Sequence, residues 1–306
     1  MSESRCNVAS SSNLCWVWWV FALSLHSIDA AAESDSESAQ QRGEYIFKLA
    51  GCRECHTDPD GQFLAGGRAL ETPFGVFYSP NITPHPIQGI GRWQLLDFHR
   101  ALRHGEAPDG RDYYPVFPFV SYTGMSDGDI VDLWLYLQSI PPVDQQNLPH
   151  QLGFPFSVRE LMWGWKLLFF EAGEFTADLT RTERWNRGAY LVRALAHCGE
   201  CHTPRSSLGA IDLQSELGGN LEGPDGDVVP NITPDQATGI GEWTVADIDA
   251  LLEMGLLPDA DFVGGSMGDV VDNTTSNLTE YDRRAMIDFL RQLPAVYRPD
   301  LHSQQH

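Results

Sequence analysis

The feature that most constrains this chain is a pentapeptide that occurs twice, Cys52-Arg53-Glu54-Cys55-His56 and Cys198-Gly199-Glu200-Cys201-His202. Cys-x-x-Cys-His is the attachment signature of a c-type haem. Two thiols three residues apart can form thioethers with the two vinyl groups of one porphyrin. The adjoining His then lies beneath the ring, where a nitrogen can ligate the iron. Three other readings of the motif are weaker. A zinc ribbon wants its Cys pairs about 15–20 residues apart, whereas these are 146 apart. A redox dithiol belongs near a βαβ pattern, and neither copy has one. A structural disulfide leaves the His after both pairs unexplained. The motifs therefore assign Cys52, Cys55, Cys198 and Cys201 to two covalently bound haem c groups, and His56 and His202 to the irons.

The motifs lie inside a longer internal repeat. Arg42-Gly43-Glu44-Tyr45-Ile46 opens one half and Arg187-Gly188-Ala189-Tyr190-Leu191 the other. Pro80-Asn81-Ile82-Thr83-Pro84 returns as Pro230-Asn231-Ile232-Thr233-Pro234, and Gly89-Ile90-Gly91-Arg92-Trp93 as Gly239-Ile240-Gly241-Glu242-Trp243. After each Trp, Leu95, Phe98, Leu102 and Val245, Ile248, Leu252 recur at steps of three and four, which predicts a helix. Each half closes on another helix, capped by Ser126-x-x-Asp129 and Thr279-x-x-Asp282. The apolar faces of these helices are Leu133, Leu137, Ile140 and Met286, Leu290, Leu293, and Pro141 and Pro294 stop them. No long period-two runs appear, so the expected fold is all-α. A porphyrin supplies much of the apolar core that small helix-poor domains lack. The N-x-T sequons at Asn81 and Asn231 belong to the repeat.

Length allows two domains. The expected division is a signal peptide at 1–32, a disordered lead-in at 33–41, a haem domain at 42–142, a connector at 143–185, a second haem domain at 186–296 and a tail at 297–306. The signal reading rests on Arg5, the apolar run Leu14 to Leu25 and the Ala30-Ala31-Ala32 cleavage site; an uncleaved anchor is the alternative. Cleavage also removes Cys6 and Cys15, leaving only the motif cysteines. The connector holds Leu161, Trp163, Trp165, Leu167, Leu168, Phe169 and Phe170, expected to pack across the two haem domains, with a partner-docking patch as the alternative. A net charge of −22, from 42 acidic and 20 basic residues, argues against nucleic acid as a partner. It suits steering toward a basic patch on a redox protein.

With both motifs, both N-I-T-P…G-I-G-x-W segments and Cys201-His202-Thr203-Pro204-Arg205 in hand, residues 41–295 resemble the dihaem class I cytochromes c of bacterial periplasms. That family includes cytochrome subunits of alcohol, aldehyde and sugar-acid dehydrogenases. The resemblance implies two tandem class I cytochrome c domains that pass single electrons between a dehydrogenase and the respiratory chain. Implied partners are a dehydrogenase subunit, an oxidase or another cytochrome. Membrane contact is expected only through a partner or an uncleaved anchor. Methionine is the usual sixth ligand in electron carriers because it raises the potential. Met162, Met254 and Met286 are explained by core filling. Met267, nine residues after Pro258 in a Gly-rich loop, stands where the family carries its sulfur ligand, and is assigned to haem 2. At the matching place the first half has Phe117, which cannot ligate iron. Met125 is the candidate for haem 1; His85, His99, His104 or an open position remain alternatives. An open position would favour a dihaem enzyme, peroxidase-like or thiosulfate-oxidising, over a carrier.

Overall fold

The computed structural model describes residues 38–223 and 226–302. The signal segment expected at 1–32 lies outside them. Helix α1 runs over 38–49, so residues 38–41 of the expected lead-in are helical; Ala39 is buried and Arg42 pairs with Asp132, tying this turn to the body. The first motif forms α2 (Cys52–His56). A hairpin follows, β1 (Ala69–Thr72) and β2 (Gly75–Tyr78), then α3 (Leu95–His104), the single turn α4 (Phe119–Tyr122) and α5 (Asp127–Ser139). The connector supplies β3 (Gln151–Leu152) and α6 (Leu161–Phe169). The second half contains α7 (Glu183–Tyr190), continued by a π-helical turn over Leu191–Leu195, and α8 (Gly199–His202). It goes on with α9 (Val245–Met254), α10 (Gly265–Asn273), α11 (Glu280–Leu290) and α12 (Pro299–His302).

The fold is helical, with one correction. The three strands form a small antiparallel sheet in the order β1-β2-β3. Strands of four, four and two residues are too short for alternation to register in a sequence. What makes the hairpin is its turn, where the Thr72 hydroxyl donates to the Gly75 carbonyl (2.7 Å) and accepts from Phe74 N–H (3.2 Å). The expected tail is also in part structured, since α12 buries Leu301.

The capping signals act as read. The Ser126 hydroxyl accepts from Asp129 N–H and the Thr279 hydroxyl from Asp282 N–H, at 3.1 and 3.2 Å. Each satisfies a donor that a helix start leaves unpaired. Phe98, Leu102, Ile248 and Leu252 are buried, while Leu95 and Val245, at the first helical positions, are exposed. Leu133, Leu137, Met286, Leu290 and Leu293 enter one core with Phe47, Leu49, Leu191 and Phe289, shared by both halves. Met162 joins a smaller cluster with Trp165, Phe77 and Phe119. Met254, expected as core filling, is instead 53% exposed, on the outer side of the last turn of α9.

The halves also exchange polar contacts reciprocally. Tyr45, from α1, donates to Asp282 (2.7 Å) and accepts from Thr279 N–H (3.2 Å) at the start of α11. Tyr190, from α7, donates to Asp129 and accepts from Ser126 N–H (3.2 Å) at the start of α5. Each tyrosine thus completes the cap of the other half's closing helix.

Candidate haem sites

Cys52 and Cys55 are three residues apart in α2, which puts both thiols on one helix face. The equivalent pair has Cys198 at the N-cap of α8 and Cys201 within it. All four are free thiols. Burial pushes Cys55 and Cys201 up to about 11, Cys198 up to about 12 and Cys52 higher still. Among the described residues no cluster of three or more His, Cys, Asp or Glu could hold a metal ion.

The imidazoles are oriented in the same way in both motifs. His56 Nδ1 lies 2.7 Å from the Pro80 carbonyl, and His202 Nδ1 lies 2.8 Å from the Pro230 carbonyl. A carbonyl only accepts, so Nδ1 carries the proton and the Nε2 lone pair is left for a metal. Burial also lowers both imidazole pKa values, favouring the neutral form that ligation requires. A backbone oxygen behind a ligating His fixes its ring and raises its basicity.

These carbonyls are placed by the Asn-Ile-Thr segments. Asn81 Oδ1 accepts from Thr83 N–H (2.9 Å) and from its hydroxyl (2.7 Å), and Asn231 does the same with Thr233 at the same distances. Asn81 Nδ2 then donates to Val143 O (2.8 Å) and Asn231 Nδ2 to Val296 O (2.7 Å). Both Asn and both Thr are buried. Sequence comparison of the halves finds these segments but gives them no role. The task of holding the His partner becomes visible only when the loop closes over 24 or 28 residues.

A cavity of about 700 Å³ opens above α2. Cys52, Cys55, His56 and Met125 line it, with an otherwise largely apolar wall that includes Trp93, Phe98, Leu133 and Phe117. Two thiols on one face, an imidazole with a free Nε2, a thioether sulfur and apolar walls together fit a porphyrin. Met125 is fully buried on this wall. The loop between α4 and α5 carries it there, eight residues after Phe117, which packs against Tyr113 and Tyr122. His85, His99 and His104 do not line the cavity. His85 faces Asp144 (3.7 Å) and His99 faces Asp127 (3.0 Å).

Of the second set, Cys201 also lines this cavity, whereas Cys198, His202 and Met267 are not among its lining residues. Met267 was expected in a loop and lies instead in the first turn of α10. Burial of Val271 holds this glycine-rich stretch as a helix despite its weak propensity. Ser266, Asp269 and Val270 turn one face of α10 to the cavity, and Met267 lies about 100° round from Ser266.

The connector helix packs on one side only. Met162 and Trp165 are buried, and Trp165 Nε1 donates to Leu208 O (2.8 Å), joining the connector to the second half. Trp163, Leu167 and Leu168 are about 70% exposed. Leu161, Leu168 and Phe169 border the cavity mouth. No helix among the described residues is long and apolar enough to cross a membrane.

The chain is 44% identical over 261 residues to a diheme cytochrome c-type protein of Cereibacter sphaeroides, covering 83% of this chain and 86% of that one. It is 40% identical to the fructose dehydrogenase cytochrome subunit of Gluconobacter japonicus, over 83% of this chain and 52% of the relative. It is 36% identical to the cytochrome c subunit of a quinone alcohol dehydrogenase of Gluconobacter oxydans, over 87% of this chain and 57% of the relative. The chain thus spans little more than half the length of these two dehydrogenase subunits. No family model matches it.

Proposed function

The chain belongs to the dihaem c-type cytochromes, and from that premise we propose that it carries single electrons between a dehydrogenase and the respiratory chain, in the periplasm. The observation that carries the reading is the matched pair of His Nδ1 to Pro carbonyl bonds, one behind each Cys-x-x-Cys-His motif. When bound, haem supplies reversible one-electron chemistry at iron. The protein's own part is to attach, orient and shield. Cys52 and Cys55 would anchor one group, with His56 and Met125 to hold its iron. Cys198 and Cys201 would anchor the other, with His202 and Met267 to hold its iron.

In this reading residues 42–142 and 186–296 are two tandem class I cytochrome domains, joined by the connector at 143–185. The matched Asn-Thr bonds, caps and reciprocal tyrosines support that division. The exposed face of α6, at the cavity mouth, offers a dehydrogenase subunit an apolar contact beside the first haem. The buried Met125 on the cavity wall favours a filled sixth position, hence a carrier over an enzyme with an open iron.

The test is the spectrum of the reduced holoprotein with and without carbon monoxide, after a pyridine haemochrome count. Two haems per chain and no carbon monoxide shift are expected. A shift accounting for one haem of the two would mean an open iron and would replace the carrier reading with a ligand-activating enzyme.

A further inference from the structure

The two halves differ in one residue of spacing. Tyr45 precedes Cys52 by seven residues, and Tyr190 precedes Cys198 by eight. The additional residue is absorbed where α7 widens into its π-helical turn, with Ala196 N–H donating to Leu191 O (2.7 Å). Such single-turn widenings are how a helix accommodates an inserted residue, and they concentrate at functional sites.

The residue delivered by this insertion is His197, at the position that Gly51 holds in the first half. Both take left-handed backbone, φ 61° for Gly51 and 40° for His197. For Gly that conformation is free, but for His it is strained, and it persists only where the surroundings enforce it. The surroundings here are the other motif. His197 Nε2 lies 3.2 Å from the carbonyl of Ala50, two residues before Cys52, so Nε2 carries the proton and donates. Tyr122 donates its hydroxyl to the same carbonyl. The two rings meet edge to face, 5.2 Å apart. A Cβ on Gly51 would lie 3.6 Å from His197 Nε2, so the two equivalent positions face each other. His197 also lines the cavity that holds Cys52, Cys55, His56 and Met125.

We infer that His197 is a residue that couples the two haem-attachment motifs, a positioning group and a direct bonded link between them. Its backbone runs directly into Cys198. From its ring a single hydrogen bond enters Ala50, and Gly51 leads on to Cys52. Covalent bonds and one hydrogen bond thus join the first thioether cysteine of each half. An electron leaving one iron and arriving at the other has this route available, and the same bond fixes how the two motifs face. The inference rests on the two-haem reading above.

The test uses holoprotein of wild type, His197→Leu, His197→Gln and His197→Gly. Haem content is counted first, each potential is measured by spectroelectrochemistry, and electron equilibration between the haems is followed after flash photoreduction. Leu removes the donor and keeps volume, Gln restores a donor, and Gly copies the first half. The Leu and Gly variants are expected to equilibrate roughly ten- to a hundredfold more slowly, the scale on which small misplacements act, with Gln close to wild type and both haems retained. Equal rates in wild type and the Leu variant would overturn the inference, as would a Gln variant as slow as Leu. If Gly fails to take up both haems, the Leu and Gln pair decides. Fewer than two haems in wild type would instead overturn the two-haem reading itself.

Discussion

Gly188→Ala is expected to destabilise the protein, although the same change in most helices does the reverse. Gly188 lies in α7, where Ala is favoured over Gly by about 1 kcal/mol. A Cβ there would lie 1.9 Å from the Ala285 carbonyl oxygen, 2.5 Å from its carbon and 2.9 Å from Phe289 Cβ. Ala285 and Phe289 are fully buried on α11, so no flexible side chain can give way. The helices would have to part by more than about an ångström, pulling on the bidentate Arg187–Asp282 pair. Overpacking of this kind costs about 3 kcal/mol at the upper end of its usual range. Set against the propensity gain, the net loss is about 2 kcal/mol. The control is Gly164→Ala in α6, where a Cβ meets nothing within 4 Å and a gain of about 0.5–1 kcal/mol is expected. Urea unfolding of the holoprotein, followed by circular dichroism, reads both as midpoint shifts of opposite sign at unchanged slope. A Gly188→Ala midpoint that rises like that of Gly164→Ala would refute the close-packing argument. It would apply equally to Gly43, whose Cβ would lie 2.0 Å from the Asp132 carbonyl.

Met125→Ala should let one haem of two bind carbon monoxide, read in the reduced spectrum, and cost about 2–5 kcal/mol through the cavity it leaves; an unchanged spectrum would make Met125 a packing residue only. Tyr45→Phe and Tyr190→Phe should each lower stability by about 1–3 kcal/mol, because each leaves a helix-start N–H and a carboxylate short of a partner; denaturation midpoints equal to wild type would remove the reciprocal contacts from the account of stability. Burial, with Asp282 nearby, pushes the Tyr45 phenol up to about 12 from an unfolded value of 10.0. Its neutral form is therefore favoured in the folded state, so its contribution is complete below pH 10 and is lost between about pH 10 and 12. Tyr45→Phe should flatten that part of the stability–pH curve, and a curve identical to wild type would contradict the assignment.

Much of the candidate site was legible because its key groups are local. Two thiols at i and i+3 with a His next to the second need only one helical turn to act together, and α2, and α8 with its N-cap Cys198, provide it. Caps at Ser126 and Thr279 are likewise decided within four residues. The sheet was not legible, since its strands are shorter than the pattern that reveals strands. The setting of Met267 reads as loop from its glycines, but the stretch is helical with Val271 buried beneath it. His197 carried a signal, the eight-residue spacing against seven, but a spacing says nothing of what a ring will meet.

The sequence by itself carries the two Cys-x-x-Cys-His motifs, the cysteines and histidines they assign to haem, and the internal repeat in which they lie. Only the tertiary structure decided that the Pro80 and Pro230 carbonyls stand behind those histidines. It also decided that Met125 reaches the cavity wall beside Phe117, that each half's tyrosine completes the other's helix cap, and that His197 meets Ala50. The division has one physical reason. Attachment and capping depend on residues a turn apart, whose geometry the backbone fixes, whereas these other contacts join residues up to 237 positions apart and exist only once the shared core has packed.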